Sequence, residues 1–127
     1  MESSAKVTLK ELPYALNGLE PVISEHLMTF HYSKHHATYV NNFNKLLEQK
    51  DAAEAAGDFH KVTQLTRGLK FNGGGNFNHT FYWESLAPVA ENGGKAPTEG
   101  PLKEAIDASF GSIDEMIAFF NAESATI

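Results

Sequence analysis

The chain carries 127 residues, no cysteine and a formal net charge of −6. That length suits one domain, or one domain and the start of another, and the missing cysteines exclude a disulfide scaffold and any thiolate metal site. The acidic balance argues against non-specific binding to nucleic acid or to an anionic membrane, and no apolar run reaches the roughly 20 residues that a membrane span needs.

Apolar residues make up 42% of the chain, nine of them Phe, so a core can form. The opening MESSAKVTLK has neither an apolar signal core nor an Arg-rich amphipathic leader. The chain therefore reads as cytoplasmic, or as a mature form already processed.

Residues 6–17 read as an extended arm, and Asn17-Gly18 marks a turn. Pro21 suits a first helical residue. From there to Gln49 no further breaker occurs, so one long helix is expected, with a bend near Asn41 and Asn42. The small, polar DAAEAAGD (51–58) is a connector that stops at Gly57. A second helix is expected over 59–69, with Phe59, Val62, Leu65 and Leu69 as its apolar stripe.

Gly73-Gly74-Gly75 is expected to break that helix, which restarts over 76–86 and ends before Pro88. ENGGKAPTEG (91–100) reads as a surface loop and linker. A short helix follows over 101–108, and Ser112-x-x-Glu115 is a capping box that opens a last helix from Ile113 to Ala122 or beyond. The fold class is all-α: a long antiparallel helical hairpin followed by short helices. The domains are 1–90 (arm and hairpin), a linker over 91–100, and 101–127 as the start of a second domain.

Chemistry concentrates in two stretches. In FHYSKHHATYV (30–40), helical spacing puts His31, His35 and Tyr39 in one column at i, i+4 and i+8. Leu27, Met28, Phe43 and Leu46 lie beside that column, which turns it toward the core. Buried imidazoles must be hydrogen-bonded, paired or metal-bound.

In NGGGNFNHTFYW (72–83), His79 and Trp83 share a face with Leu86, and Gly75 lies at its edge. If the two helices are antiparallel neighbours, His31 and His79 point into one gap. Neutral imidazole is the commonest ligand for first-row metals. Ordinary core histidines and a plain aromatic core fit the same spacings, so the residues alone leave both readings open. HExxH is absent, and the glycine run lacks the spacing of a phosphate cradle.

FHYSKHHATYVNNFNKL (30–46), KFNGGGNFNHTFYWESLAP (70–88) and LKELPYALNGLEPVIS (9–24) together resemble the iron/manganese superoxide dismutase family. The resemblance runs in order over essentially the whole chain. It implies a helical hairpin followed by an α/β domain, with a redox metal held by two hairpin histidines and by an aspartate and a third histidine from the second domain. The implied reaction is one-electron oxidation of one superoxide and reduction of another, giving oxygen and hydrogen peroxide.

Carried over by position, the resemblance makes His31 and His79 the metal ligands. Tyr39 becomes the tyrosine that positions solvent and protons beside the metal, and Trp83 an aromatic wall of the pocket. His35 matches a histidine behind the ligands, near the subunit contact. Lys34 matches a basic residue at the channel mouth, where local positive charge draws in an anion. Gly75 stands where iron-type members typically carry glutamine, which favours manganese, with iron as the other metal. Asn76 departs from the histidine common in manganese types.

The implied partners are superoxide and, in a full-length protein, further copies of the chain as a homo-oligomer. Manganese-type members also work in the mitochondrial matrix, which is the alternative location. SFGSIDEMIAFFNAESATI (109–127) resembles the opening of the family's second domain, and the D-x-W-E-H block that carries the other two ligands is not among these residues. The chain thus reads as a fragment with two of the ligands, expected to hold little metal by itself. The alternative is a non-catalytic helical module that pairs with a full-length subunit or another partner.

Overall fold

Ser24 sets where the helical part of the chain begins. Its hydroxyl accepts from the Leu27 amide at 3.2 Å, capping helix α1 (Glu25–Phe30). Pro21 lies before this cap, in a turn, so the helix starts four residues later than the proline suggested. The computed structural model describes residues 4–126. Residues 1–3 and 127, which the sequence reading placed in the arm and the final segment, lie outside the described residues.

The helix does not stop at Phe30. Residues His31–His36 continue it as a π-helical segment, in which the Ala37 amide reaches back five residues to the Tyr32 carbonyl. Regular α-helix then resumes as α2 (Ala37–Ala55). The irregular stretch falls on the histidines rather than on Asn41 and Asn42. Single π turns inside α-helices cluster at functional sites.

Gly57, at φ +70°, ends the run, and Asp58 caps α3 by accepting from the Lys61 amide at 2.9 Å. Helix α3 (Phe59–Glu84) passes straight through Gly73-Gly74-Gly75, so the expected break is absent. Glycine costs a helix about 1 kcal/mol relative to alanine. Close approach to the facing helix offsets that cost here. A Cβ on Gly68 would meet Leu46 Cδ1 at 3.0 Å, one on Gly73 would meet Phe43 Cε2 at 2.9 Å, and one on Gly75 would meet Tyr39 Cγ at 2.7 Å. The partners fall from 46 to 39 as the glycines rise from 68 to 75, which is the register of an antiparallel pair. The expected all-α hairpin is what forms, and every regular element among the described residues is helical.

The arm before α1 is fastened along this hairpin. Asn44 brackets Val7, accepting from its amide at 2.9 Å and donating to its carbonyl at 2.8 Å. Ser4 bonds Asp51 through both its amide and its hydroxyl, and Lys10 pairs with Glu84. Tyr14 donates to the Trp83 carbonyl and Tyr32 to the Lys10 carbonyl, both at 3.0 Å. These contacts close a core of Leu19, Met28 and Trp83, flanked by Leu12, Leu16, Ile23 and Leu86.

The chain divides into two compact units, Met1–Gly93 and Gly94–Ile127. The second contains α4 (Pro101–Phe110) and α5 (Ile113–Ser124). The capping box forms at least on its hydroxyl side, where Ser112 Oγ accepts from the Glu115 amide at 3.1 Å. Phe110 and Phe119 pack together across the turn, their ring centres 5.7 Å apart.

Candidate metal centre

The π segment and the glycine-bearing stretch of α3 face one another, and the histidines meet between them. His79 Nδ1 lies 2.7 Å from the Gly75 carbonyl. A carbonyl only accepts, so Nδ1 carries a proton and Nε2 is the nitrogen that can accept. Its lone pair faces His31 Nε2 at 3.0 Å, where His31 must donate. A cation held in this gap would use the Nε2 lone pair of His79, and His31 would have to carry its proton on Nδ1 to offer a second one.

His35 joins the same group. One ring nitrogen from each of His31, His35 and His79 lies within 4.8 Å of the other two, and no carboxylate completes a cluster with them among the described residues. Three imidazole nitrogens in one cluster are of the donor type that first-row divalent ions take. His35 itself is exposed rather than core-facing, and its neighbour His36 is the buried one, at 0%. The His35 ring still lies between those of His31 and Tyr39, at 5.5 and 5.0 Å, so the expected column persists, but at His35 it borders the open depression that Lys34 also lines rather than the core.

The surroundings are aromatic. Trp83, 2% exposed, packs nearly perpendicular to His31 with ring centres 4.8 Å apart. The Tyr39 ring lies 5.2 Å from His79 and 5.0 Å from His35. An open cavity of about 250 Å³ is lined by His31, Asn78, His79 and Tyr82. A second depression holds Lys34 beside His31 and His35. Burial pushes the His31 pKa below the usual imidazole value, and repulsion from His79, His35 and His36 adds to the effect. The neutral form of His31 is favoured.

Sequence reasoning passed over His36 and read Asn76 only as a departure. The structure joins the two: His36 Nε2 lies 2.8 Å from Asn76 Oδ1, and the Trp83 indole N–H donates to His36 Nδ1 at 3.1 Å. The available signal was the stripe Asn72, Asn76, His79, Trp83 on α3, four polar or aromatic residues at helical spacing.

A family model described as iron/manganese superoxide dismutases, alpha-hairpin domain, matches residues 6–87. The chain belongs to the iron/manganese superoxide dismutase family. It is 49% identical over all of its 127 residues to superoxide dismutase [Mn] 2, mitochondrial, of Arabidopsis thaliana, covering 52% of that protein. It is 50% identical over 95% of its length to superoxide dismutase [Mn] 3.4, mitochondrial, of Zea mays, again covering 52%. Superoxide dismutase [Fe] of Tetrahymena pyriformis is 47% identical over 91% of the chain, which covers 60% of it.

The chain spans about half the length of the curated relatives it matches. The cytoplasmic expectation finds no support among these relatives, since the plant proteins are mitochondrial by name. No helix among the described residues is long and apolar enough to cross a membrane.

Proposed function

We propose that this chain is the hairpin half of a superoxide dismutase that uses manganese, with iron as the other metal, and that it works in the mitochondrial matrix. One observation carries the reading: two Nε2 atoms from opposite arms of the hairpin meet at 3.0 Å, with the His79 lone pair already aimed into the gap by the Gly75 carbonyl. The Mn-type relatives support the metal, and their mitochondrial names support the location.

His31 and His79 hold the metal, which when bound supplies the one-electron oxidation and reduction of superoxide. Tyr39, beside His79 and His35, orients solvent and moves protons to the leaving peroxide. Trp83 and its aromatic neighbours keep the ligand side dry, which tunes the potential. Lys34 offers positive charge at the open edge of a chain whose net charge repels anions. A segment like the missing half of the relatives supplies the remaining ligands. Phe71, Phe77 and Phe81, between 66% and 70% exposed on α3, suit burial under such a segment or a second copy in a homo-oligomer.

The test is to capture the native protein with an antibody to this chain and measure its mass, metal content and superoxide consumption. The proposal expects a species about twice this length, bound manganese or iron, and dismutation. A metal-free, inactive species of this length found alongside a full-length subunit favours the pairing-module reading instead.

A further inference from the structure

We propose that His36 is a positioning residue, fixed between Trp83 and Asn76, which sets the orientation of both His31 and His79. The inference deepens the metal-centre reading and rests on it.

His36 is buried at 0%, so both of its ring nitrogens need partners, and both have them. The indole N–H only donates, so Nδ1 is the acceptor at 3.1 Å. Nε2 therefore carries the proton and donates to Asn76 Oδ1 at 2.8 Å. One tautomer and one ring plane satisfy this arrangement, because rotating the ring by half a turn would break both bonds.

From that position the ring touches the two ligand imidazoles by different routes. It stacks on His79, with centres 5.3 Å apart and planes 20° from parallel. Through its bond to Trp83 it holds the indole against His31, with ring centres 4.8 Å apart. A single buried imidazole thus braces both sides of the gap that His79 and His31 share. Asn76 is the acceptor that fixes the brace, which gives its side chain a job in this protein.

The experiment uses the 127-residue chain, whose one tryptophan gives one indole N–H resonance. In nuclear magnetic resonance spectra of the wild type, His36 is expected as the Nε2–H tautomer. The indole proton should be slow to exchange, and ring protons of His31 and His79 should show mutual Overhauser contacts. His36→Leu and Asn76→Leu should weaken those contacts, move the indole resonance and lower cobalt(II) affinity roughly 10- to 100-fold, the usual range for supporting groups behind a metal. The double variant should lose little more than either single one.

His36→Gln, which keeps an acceptor and an N–H donor, should restore both readouts. It serves as the folded comparison if the leucine variants lose helicity. His31–His79 contacts and cobalt affinity that persist in His36→Leu, or a His36→Gln that restores helicity but neither readout, overturn the proposal. Wild-type chain that binds no cobalt, as a chain with two of the ligands would, yet shows the contacts responding to His36 still upholds the brace.

Discussion

His79 Nδ1 lies 2.7 Å from the carbonyl of Gly75, one turn earlier on the same helix. That bond decides which nitrogen of His79 faces the gap, and it makes a glycine better known as a helix breaker part of the site. Gly75 also lacks the Cβ that would collide with Tyr39. Backbone oxygen and missing side chain act together: one aims the His79 ring, and the other admits a phenol.

Gly75→Ala therefore has two opposed effects. Alanine gains about 1 kcal/mol of helix propensity, whereas a Cβ only 2.6 Å from Tyr39 Cε1 forces the ring to move, an overpacking cost of about 1–3 kcal/mol. A net loss of about 1 kcal/mol is expected by urea denaturation. In a Tyr39→Ala background the same change should stabilise the chain instead. Equal effects in both backgrounds would mean that Tyr39 is not what the glycine accommodates.

Acid should weaken the fold. Burial, before repulsion by neighbouring histidines, pushes the His31 pKa down. Burial likewise lowers that of His36, against the opposing hydrogen bond to Asn76. Unfolded, both return to about 6.5. Above that value their contribution is complete; as pH falls below it the unfolded chain takes up protons the folded chain refuses, and stability drops until the folded values are passed. Asp51 titrates lower still, its carboxylate held below the usual range by the Ser4 hydroxyl and amide, so it lies outside this window. Denaturation midpoints at about pH 7.5 and about pH 5 check the sign. A midpoint that rises in acid contradicts it.

The arm depends on Asn44. Its amide group makes both hydrogen bonds to Val7, and Asn44→Ala removes the partners of the half-buried Val7 N–H and C=O at a cost of about 1 kcal/mol per bond. Limited proteolysis should then cut within residues 4–16 well before the helices. Protection equal to that of wild type would show that Tyr14, Tyr32 and the apolar contacts hold the arm unaided.

The hairpin is legible because apolar residues recur at helical spacing on both arms and Gly57 marks the stop between them. Ser112 and Glu115 mark α5 by their capping box. The glycine run was misjudged because a backbone propensity was weighed without the ring waiting opposite, and that ring belongs to a residue more than thirty positions away. His31, His79, Tyr39 and Trp83 stood out by residue type and by resemblance. His36 did not, since its partners Asn76 and Trp83 lie 40 and 47 positions away and no periodicity within its own helix marks them.

Tyr39→Phe, in the native protein, separates the phenol's packing from its hydroxyl. The ring stays against Gly75 and His79, so metal content should hold while superoxide turnover falls. Loss of metal in step with turnover would make Tyr39 a structural support only.

The most direct measurement is a titration of the isotope-labelled 127-residue chain with manganese(II), followed through its imidazole resonances. Weak binding suffices, because the paramagnetic ion broadens whatever lies beside it. His31 and His79 should broaden first, the Trp83 indole next, and His31→Ala should abolish the effect at His79. Broadening confined to acidic side chains, with both imidazoles left sharp, would contradict a metal shared across the hairpin.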